Sequence, residues 1–216
     1  MKDARGQPGL CPRKGTGKNS MSRGTDTREA LLKSGTAEFL AHGFERASLR
    51  VICANAHVTT GAFYAHFKKK EDLFCAIVQD DLTAYLGHYD SLMERMRNNM
   101  QAPSDNEVEI MDYLVERRDL FRLLFDCSAG TKYEGFKERL IAHFEKSYQD
   151  LFDAYAEEPV DHDIVCVVVK MKFAQYMELL YGDYSKERVR EIMERLQGFT
   201  QAGFEALTGT TIKSPG

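Results

Sequence analysis

Between Gly43 and Lys70 the chain has room for only two short helices, and the starts and stops of both are written into it. Ser48 is an N-cap residue ahead of Leu49, Ile52, Cys53 and Ala56, which recur at helical spacing. His57-Val58 interrupts that run, and Thr59 caps a second segment to about His66, with Phe63 and Phe67 assigned to the core. Lys68-Lys69-Lys70-Glu71 breaks the pattern again and opens a longer helix that buries Leu73, Phe74, Ile77 and Val78. Upstream, Asp26-Thr27-Arg28-Glu29 reads as a capping box starting a helix that ends near His42, with Gly43 as its left-handed stop. Two short helices joined by a three-residue turn, with a longer helix on each side, make a helix-turn-helix unit.

The residues filling this frame resemble the DNA-binding domain of TetR-type transcriptional regulators over about residues 26–80. The likeness rests on Glu38-Phe39-Leu40, Gly43-Phe44-Glu45, Ala47-Ser48-Leu49-Arg50, Ile52-Cys53, Val58-Thr59-Thr60-Gly61-Ala62-Phe63-Tyr64, His66-Phe67 and Lys70-Glu71-Asp72-Leu73-Phe74. It implies an all-α fold, with an N-terminal three-helix helix-turn-helix DNA-binding domain and a C-terminal helical ligand-binding and dimerisation domain. The expected divisions are a disordered basic arm over 1–24, the DNA-binding domain over 25–72, the effector and dimer domain over 73–210, and a flexible tail over 211–216.

The DNA-binding set implied is Ser48, Arg50, Thr59, Thr60, Gly61, Ala62, Tyr64, His66 and Lys70. The threonines can donate or accept at base edges, and Gly61 and Ala62 let the backbone come close. Tyr64, His66 and Lys70 match family positions that reach the DNA backbone, and Ser48 opens a helix whose N-terminus can meet a phosphate. Packing between helices is the plainer fate for Tyr64 and His66. The chain departs from the family twice: His57 stands where a glycine is usual, at a position needing positive φ, and Thr60 stands where many relatives carry Lys or Arg.

Charge is divided in the same sense. The first 70 residues hold 13 of the 29 lysines and arginines but only 5 of the 33 acidic residues, whereas the remainder holds 16 and 28. A basic first third on an acidic body suits a polyanion-binding end attached to a part that repels polyanions. Residues 1–24, rich in Gly, Lys, Arg, Pro and Ser, have almost nothing to bury. Gly15-Thr16-Gly17-Lys18 fails as a phosphate-binding loop, because Pro12 replaces its first glycine and Asn19 its Ser/Thr. Met21 is a plausible alternative start.

Beyond residue 80 the pattern predicts helices over about 82–101, 107–127, 131–156, 162–182 and 185–208. The 162–182 segment is apolar nearly all round, and the final one carries a wide stripe. The expected interface of a homodimer is therefore Ile164, Val168, Met171, Ile192, Leu196, Phe199 and Gly203, the alternative being that these helices complete a monomer core. The family resemblance also implies an effector pocket between the two ends of the chain. Its candidates are Met100, Met111, Phe121, Phe125, Phe144 and Tyr176, with Arg122, His143 and Tyr148 as candidate polar anchors; for each apolar residue ordinary core packing is the competing fate, and for each polar one surface exposure is the favoured fate.

Other chemistries find little support. No G-x-S-x-G, H-E-x-x-H or glycine-rich strand-to-helix turn is present, so no enzyme is expected. Asp161-His162-Asp163 is better read as a helix start than as a metal site, and no cofactor is expected. Five scattered cysteines without C-x-x-C spacing fit a reducing cytoplasm. The longest apolar run, Ile164 to Val169, is far too short to span a membrane, and no secretory signal is expected. The resulting expectation is a cytoplasmic homodimeric regulator on palindromic double-stranded DNA. In the family mechanism a small apolar or cationic amphipathic effector shifts the fourth helix, changes the separation of the recognition helices and releases a repressor. The alternative is a helical small-molecule-binding dimer without a primary DNA role.

Overall fold

A computed structural model describes residues 23–98 and 104–210. Among them the chain forms nine helices and no strand: α1 Arg23–Arg46, α2 Leu49–Asn55, α3 Thr60–His66, α4 Lys70–Asn98, α5 Ser104–Glu116, α6 Arg118–Asp126, α7 Phe136–Tyr155, α8 His162–Tyr181 and α9 Lys186–Thr208. The chain forms two compact units. One takes the chain to Ala84 together with Asp119–Lys137, and the other takes Tyr85–Arg118 and the chain from Glu138 onward. The expected basic arm up to residue 22, the tail over 211–216 and Met100 lie outside the described residues.

In the first unit, α1 begins at Arg23, three residues ahead of the expected cap, and Asp26 lies in its first turn, where a carboxylate is favoured by the helix dipole. Gly43 has φ +72 and interrupts the helix at the expected stop. The buried Ser34 hydroxyl donates to the Ile52 carbonyl at 2.8 Å, fixing α1 against α2. Gly35 is a close-approach position, because a Cβ there would lie 2.8 Å from Leu73 of α4. Phe39, Phe44 and Phe74 meet edge-on or tilted with centroids 5.2–5.8 Å apart. At about 1.5–3 kcal/mol for each fully buried aromatic side chain, such a cluster is a main support of so small a unit.

The helix boundaries differ from the sequence expectation in three places. α4 is unbroken from Lys70 to Asn98, with no second helix starting near residue 82, because Val78, Leu82, Tyr85, Leu86, Tyr89, Leu92 and Met93 keep one face buried throughout. The expected 107–127 helix is divided at Arg117 into α5 and α6. Helix α7 starts at Phe136 instead of 131, because Gly130 and Gly135 both take positive φ in the preceding loop.

In the second unit, Asp161 and Ser185 cap α8 and α9 through their side chains. The Asp161 carboxylate accepts the Asp163 N–H at 2.7 Å, at the helix start where an acidic residue was expected to be favoured by the dipole. Salt bridges Arg190–Asp112 and Lys186–Glu116 tie α9 to α5. Arg118 donates to the Tyr184 carbonyl at 2.8 Å and so holds the short link between α8 and α9. No helix among the described residues is long and apolar enough to cross a membrane.

Candidate nucleic-acid interface and ligand cavity

Helix α2 ends in a Schellman arrangement: the Val58 N–H donates to the Cys53 carbonyl at 2.9 Å, and the His57 N–H donates to the Ala54 carbonyl at 3.0 Å. The motif demands a left-handed residue at its pivot, and His57 takes it with φ 54, as its sequence position required. Two residues later Thr59 is the N-cap of α3, its hydroxyl oxygen accepting the Ala62 N–H at 3.1 Å. Ser48 caps α2 in the same way, accepting from Val51. Ser48 also donates its own N–H to the Glu38 carboxylate at 2.9 Å. Glu38 is buried, and sequence reasoning missed it as a brace of the turn, because one acidic residue on an apolar face carries no pattern of its own.

With Phe63 and Phe67 buried beneath it, α3 presents Thr60, Gly61, Tyr64 and His66 outward, and Thr59 and Arg50 are exposed beside them. Tyr64 is 59% exposed, so packing between helices does not account for it. Ala62 and Ser48 are half-buried. A Cβ added to Gly61 would meet nothing closer than the Thr59 hydroxyl at 3.7 Å, so the fold does not require a glycine there.

Lys70 is the exception. Its ammonium donates to the carbonyls of Phe44 at 2.6 Å, Ala47 at 2.9 Å and Glu45 at 3.2 Å, and lies 4.6 Å from the Phe44 ring centroid. An ammonium has three protons, and all three are engaged. Partial burial pulls its pKa below the ordinary lysine value, against the opposing pull of Glu38 and Glu45. In the free chain, where a phosphate contact was expected of it, Lys70 ties the end of α1 to the start of α4. Lys68 and Lys69, in the link between α3 and α4, are both exposed, and Lys69 pairs with Glu71.

In the second unit a cavity of about 200 Å³ opens among α4, α5, α7, α8 and α9. Its walls are mostly apolar: Met96, Leu151, Phe152, Val168, Met171, Phe199, Phe204 and Leu207, with Tyr148, Gln175, Thr200 and Gly203. Two charged residues also line it. Lys172 and Glu107 form an ion pair at 2.7 Å, with side chains only 12% and 10% exposed.

Most of the expected pocket residues do not reach this cavity. Met111, Phe144 and Tyr176 are buried as core, Phe144 against Tyr89 with centroids 4.4 Å apart. Phe121 and Phe125 belong to the other unit, where they pack on each other and Phe125 on Phe136. Their helical spacing reflects ordinary core packing. Of the three expected polar anchors Tyr148 lines the cavity, His143 pairs with Asp90 at 2.8 Å, and Arg122 is exposed.

The residues assigned to a dimer interface lie on the outer surfaces of α8 and α9. Phe199 is 70% exposed and Met171 58%, with Ile164, Val167 and Gly203 also exposed and Val168, Ile192 and Leu196 half-buried. The opposite face of α8 buries Val165, Val169, Phe173, Tyr176, Leu179 and Leu180.

Comparison with known proteins agrees with this architecture. Residues 31–77 match the family described as bacterial regulatory proteins, tetR family. An HTH-type transcriptional regulator of Staphylococcus aureus (strain USA300) is 26% identical over 117 residues, 54% of this chain and 58% of that protein. The probable acrEF/envCD operon repressor of Escherichia coli (strain K12) is 31% identical over 96 residues, 39% of this chain and 44% of that one. The chain thus spans about half the length of these relatives. Two crystal structures share the fold. A TetR-like transcriptional regulator from Rhodococcus sp. RHA1 has TM-score 0.59 and 15% identity, covering 85% of this chain and all of that one. A TerR/AcrR-family transcriptional regulator from Aquifex aeolicus VF5 has TM-score 0.57 and 19% identity, covering 81% and 99%.

Proposed function

We infer that this chain, whose residues 31–77 match the tetR family of bacterial regulatory proteins, is a DNA-binding transcriptional regulator that acts as a homodimer in the cytoplasm. The observation carrying this reading is the exposed end of α3. Thr60, Gly61 and Tyr64 stand outward on a short helix held by two caps and a Schellman turn, in a basic domain on an otherwise acidic chain. A helix so placed offers its N-terminal residues to base edges in the major groove, while neighbouring cations and amides fix register on the phosphates. Thr59, Thr60, Gly61 and Ala62 are the base-facing residues in this reading. Ser48, Arg50, Tyr64, His66 and Lys68 contact the backbone, and Lys70 acts through the end of α1.

The dimer forms through α8 and α9, whose outer face exposes Ile164, Val167, Met171 and Phe199. A two-fold axis then sets two recognition helices about 34–36 Å apart, one duplex turn, and makes the operator a palindrome. Repression relieved by a small molecule is the mode this arrangement suits. A ligand releases DNA only if it binds the DNA-incompetent state more tightly, and α4, a single helix contributing to both units, is the element such a ligand would bias. The test is selection from a pool of random duplexes with the full chain. Enrichment of a palindrome with half-sites one turn apart is expected; recovery of no common sequence would overturn the reading in favour of a ligand-binding dimer without a DNA role.

A further inference from the structure

We propose that the cavity among α4, α5, α7, α8 and α9 binds an uncharged amphiphile, an apolar body bearing one hydrogen-bond acceptor, with the acceptor taken by Lys172. The proposal rests on the reading of this unit as the ligand-binding half and names the class of ligand. Leu151, Phe152, Val168 and Leu207 supply an apolar wall for the body. The head group is decided by the two charges. Lys172 Nζ lies 2.7 Å from the Glu107 carboxylate, yet it is fully buried and makes no hydrogen bond of proper geometry among the described residues. The ammonium faces Glu107 with part of its three N–H donors, and the others have no partner among the described residues, which leaves them for a guest.

Glu107 and Lys172 already cancel each other's charge. A carboxylate guest would add a second anion beside Glu107, and an ammonium guest a second cation beside Lys172. Either leaves a net charge in a poorly solvated space, which is costly. A carbonyl or ether oxygen accepts from Lys172 and adds no charge. The surroundings favour the same choice. Half-buried Tyr148 and buried Tyr176 lie close enough to feel Glu107, and the Lys172 ammonium lies 6.0 Å from the Tyr176 ring centroid, so the pair sits beside aromatic rings. Exposed Met171 and Phe199 border the cavity on the face assigned to the second copy, which would shield a guest further.

The experiment uses the full chain without DNA and a matched set of medium-chain probes of one length: a methyl ketone, the carboxylate and the trimethylammonium compound. Calorimetric titration and thermal shift are expected to show binding by the ketone and at least about tenfold weaker binding by both charged analogues. The double variant Lys172→Met/Glu107→Leu removes both charges together, so no lone buried charge threatens the fold. In it the ketone should bind about tenfold more weakly and no better than an alkane of equal length. Preference for the carboxylate would make Lys172 an anion site, and preference for the ammonium would make Glu107 the anchor; either overturns the proposal. So does a ketone affinity undiminished in the double variant. Because binding is read on the protein alone, a failure to bind any duplex would sink the regulator reading without altering this result.

Discussion

Helices α3 and α9 each leave one face open, and the two faces are chemically opposite. On α3 the open side holds Thr60, Gly61, Tyr64 and His66, groups that water solvates without penalty. On α9 it holds Phe199 and Gly203, continued by Met171, Val167 and Ile164 of α8. A polar open face can wait for a partner indefinitely, whereas an apolar one of this extent is stabilised by covering it. The first is therefore suited to reversible recognition and the second to lasting assembly. Substitutions at the two faces should separate function from oligomeric state.

The largest effect is expected at α9. Phe199→Glu places a charge twice in a two-fold interface, where burial without a partner costs at least about 2 kcal/mol per copy. Since the side chain is mostly exposed in the single chain, the fold should survive. Sedimentation should show a folded monomer with helical circular dichroism intact and operator affinity lost. A dimer of wild-type strength would remove this face from the assembly.

Lys70 and Lys68 sharpen the comparison within the recognition unit. Lys70→Ala strips a charged donor from three carbonyls at a half-buried site and should cost about 1–2 kcal/mol in urea unfolding. Lys68→Ala should leave unfolding unchanged and flatten the salt dependence of DNA binding by about one phosphate contact. Exchange of these two outcomes would make Lys70 the phosphate ligand.

A smaller effect is expected at Gly61. Its Cβ would fit, so Gly61→Ala should raise stability by up to about 1 kcal/mol through helix propensity while weakening DNA binding by crowding the groove. Unchanged binding would mean that α3 does not approach DNA closely at this residue.

The recognition unit was largely legible in the sequence because its signals are local. Ser48, Thr59 and Gly43 act on the residues beside them, and the strained turn at His57 follows from its place between two caps. The role of Lys70 was not legible, because its three acceptors lie 23 to 26 residues away in a part of the chain that contains no charge pattern pointing to it. The cavity was less legible still. Met and Phe recur at helical spacing whether they line a void or fill a core, so Met111, Phe121 and Phe144 could not be told apart from Met96 and Phe152. Glu107 and Lys172 are 65 positions apart, and neither shows an unusual neighbourhood before the helices bring them together.

The central claim is that the outward end of α3 reads DNA from a dimer. It is tested most directly by titrating the full chain against a duplex enriched from the random pool, with fluorescence anisotropy at several salt concentrations and the stoichiometry fixed by sedimentation. Two chains per palindrome are expected, with affinity falling steeply as salt rises. In Thr60→Ala/Tyr64→Ala the preference over scrambled duplex should fall by at least about tenfold, at about 1–3 kcal/mol for each lost specific contact. One chain per site, or a double variant that discriminates as well as the wild type, would contradict the account.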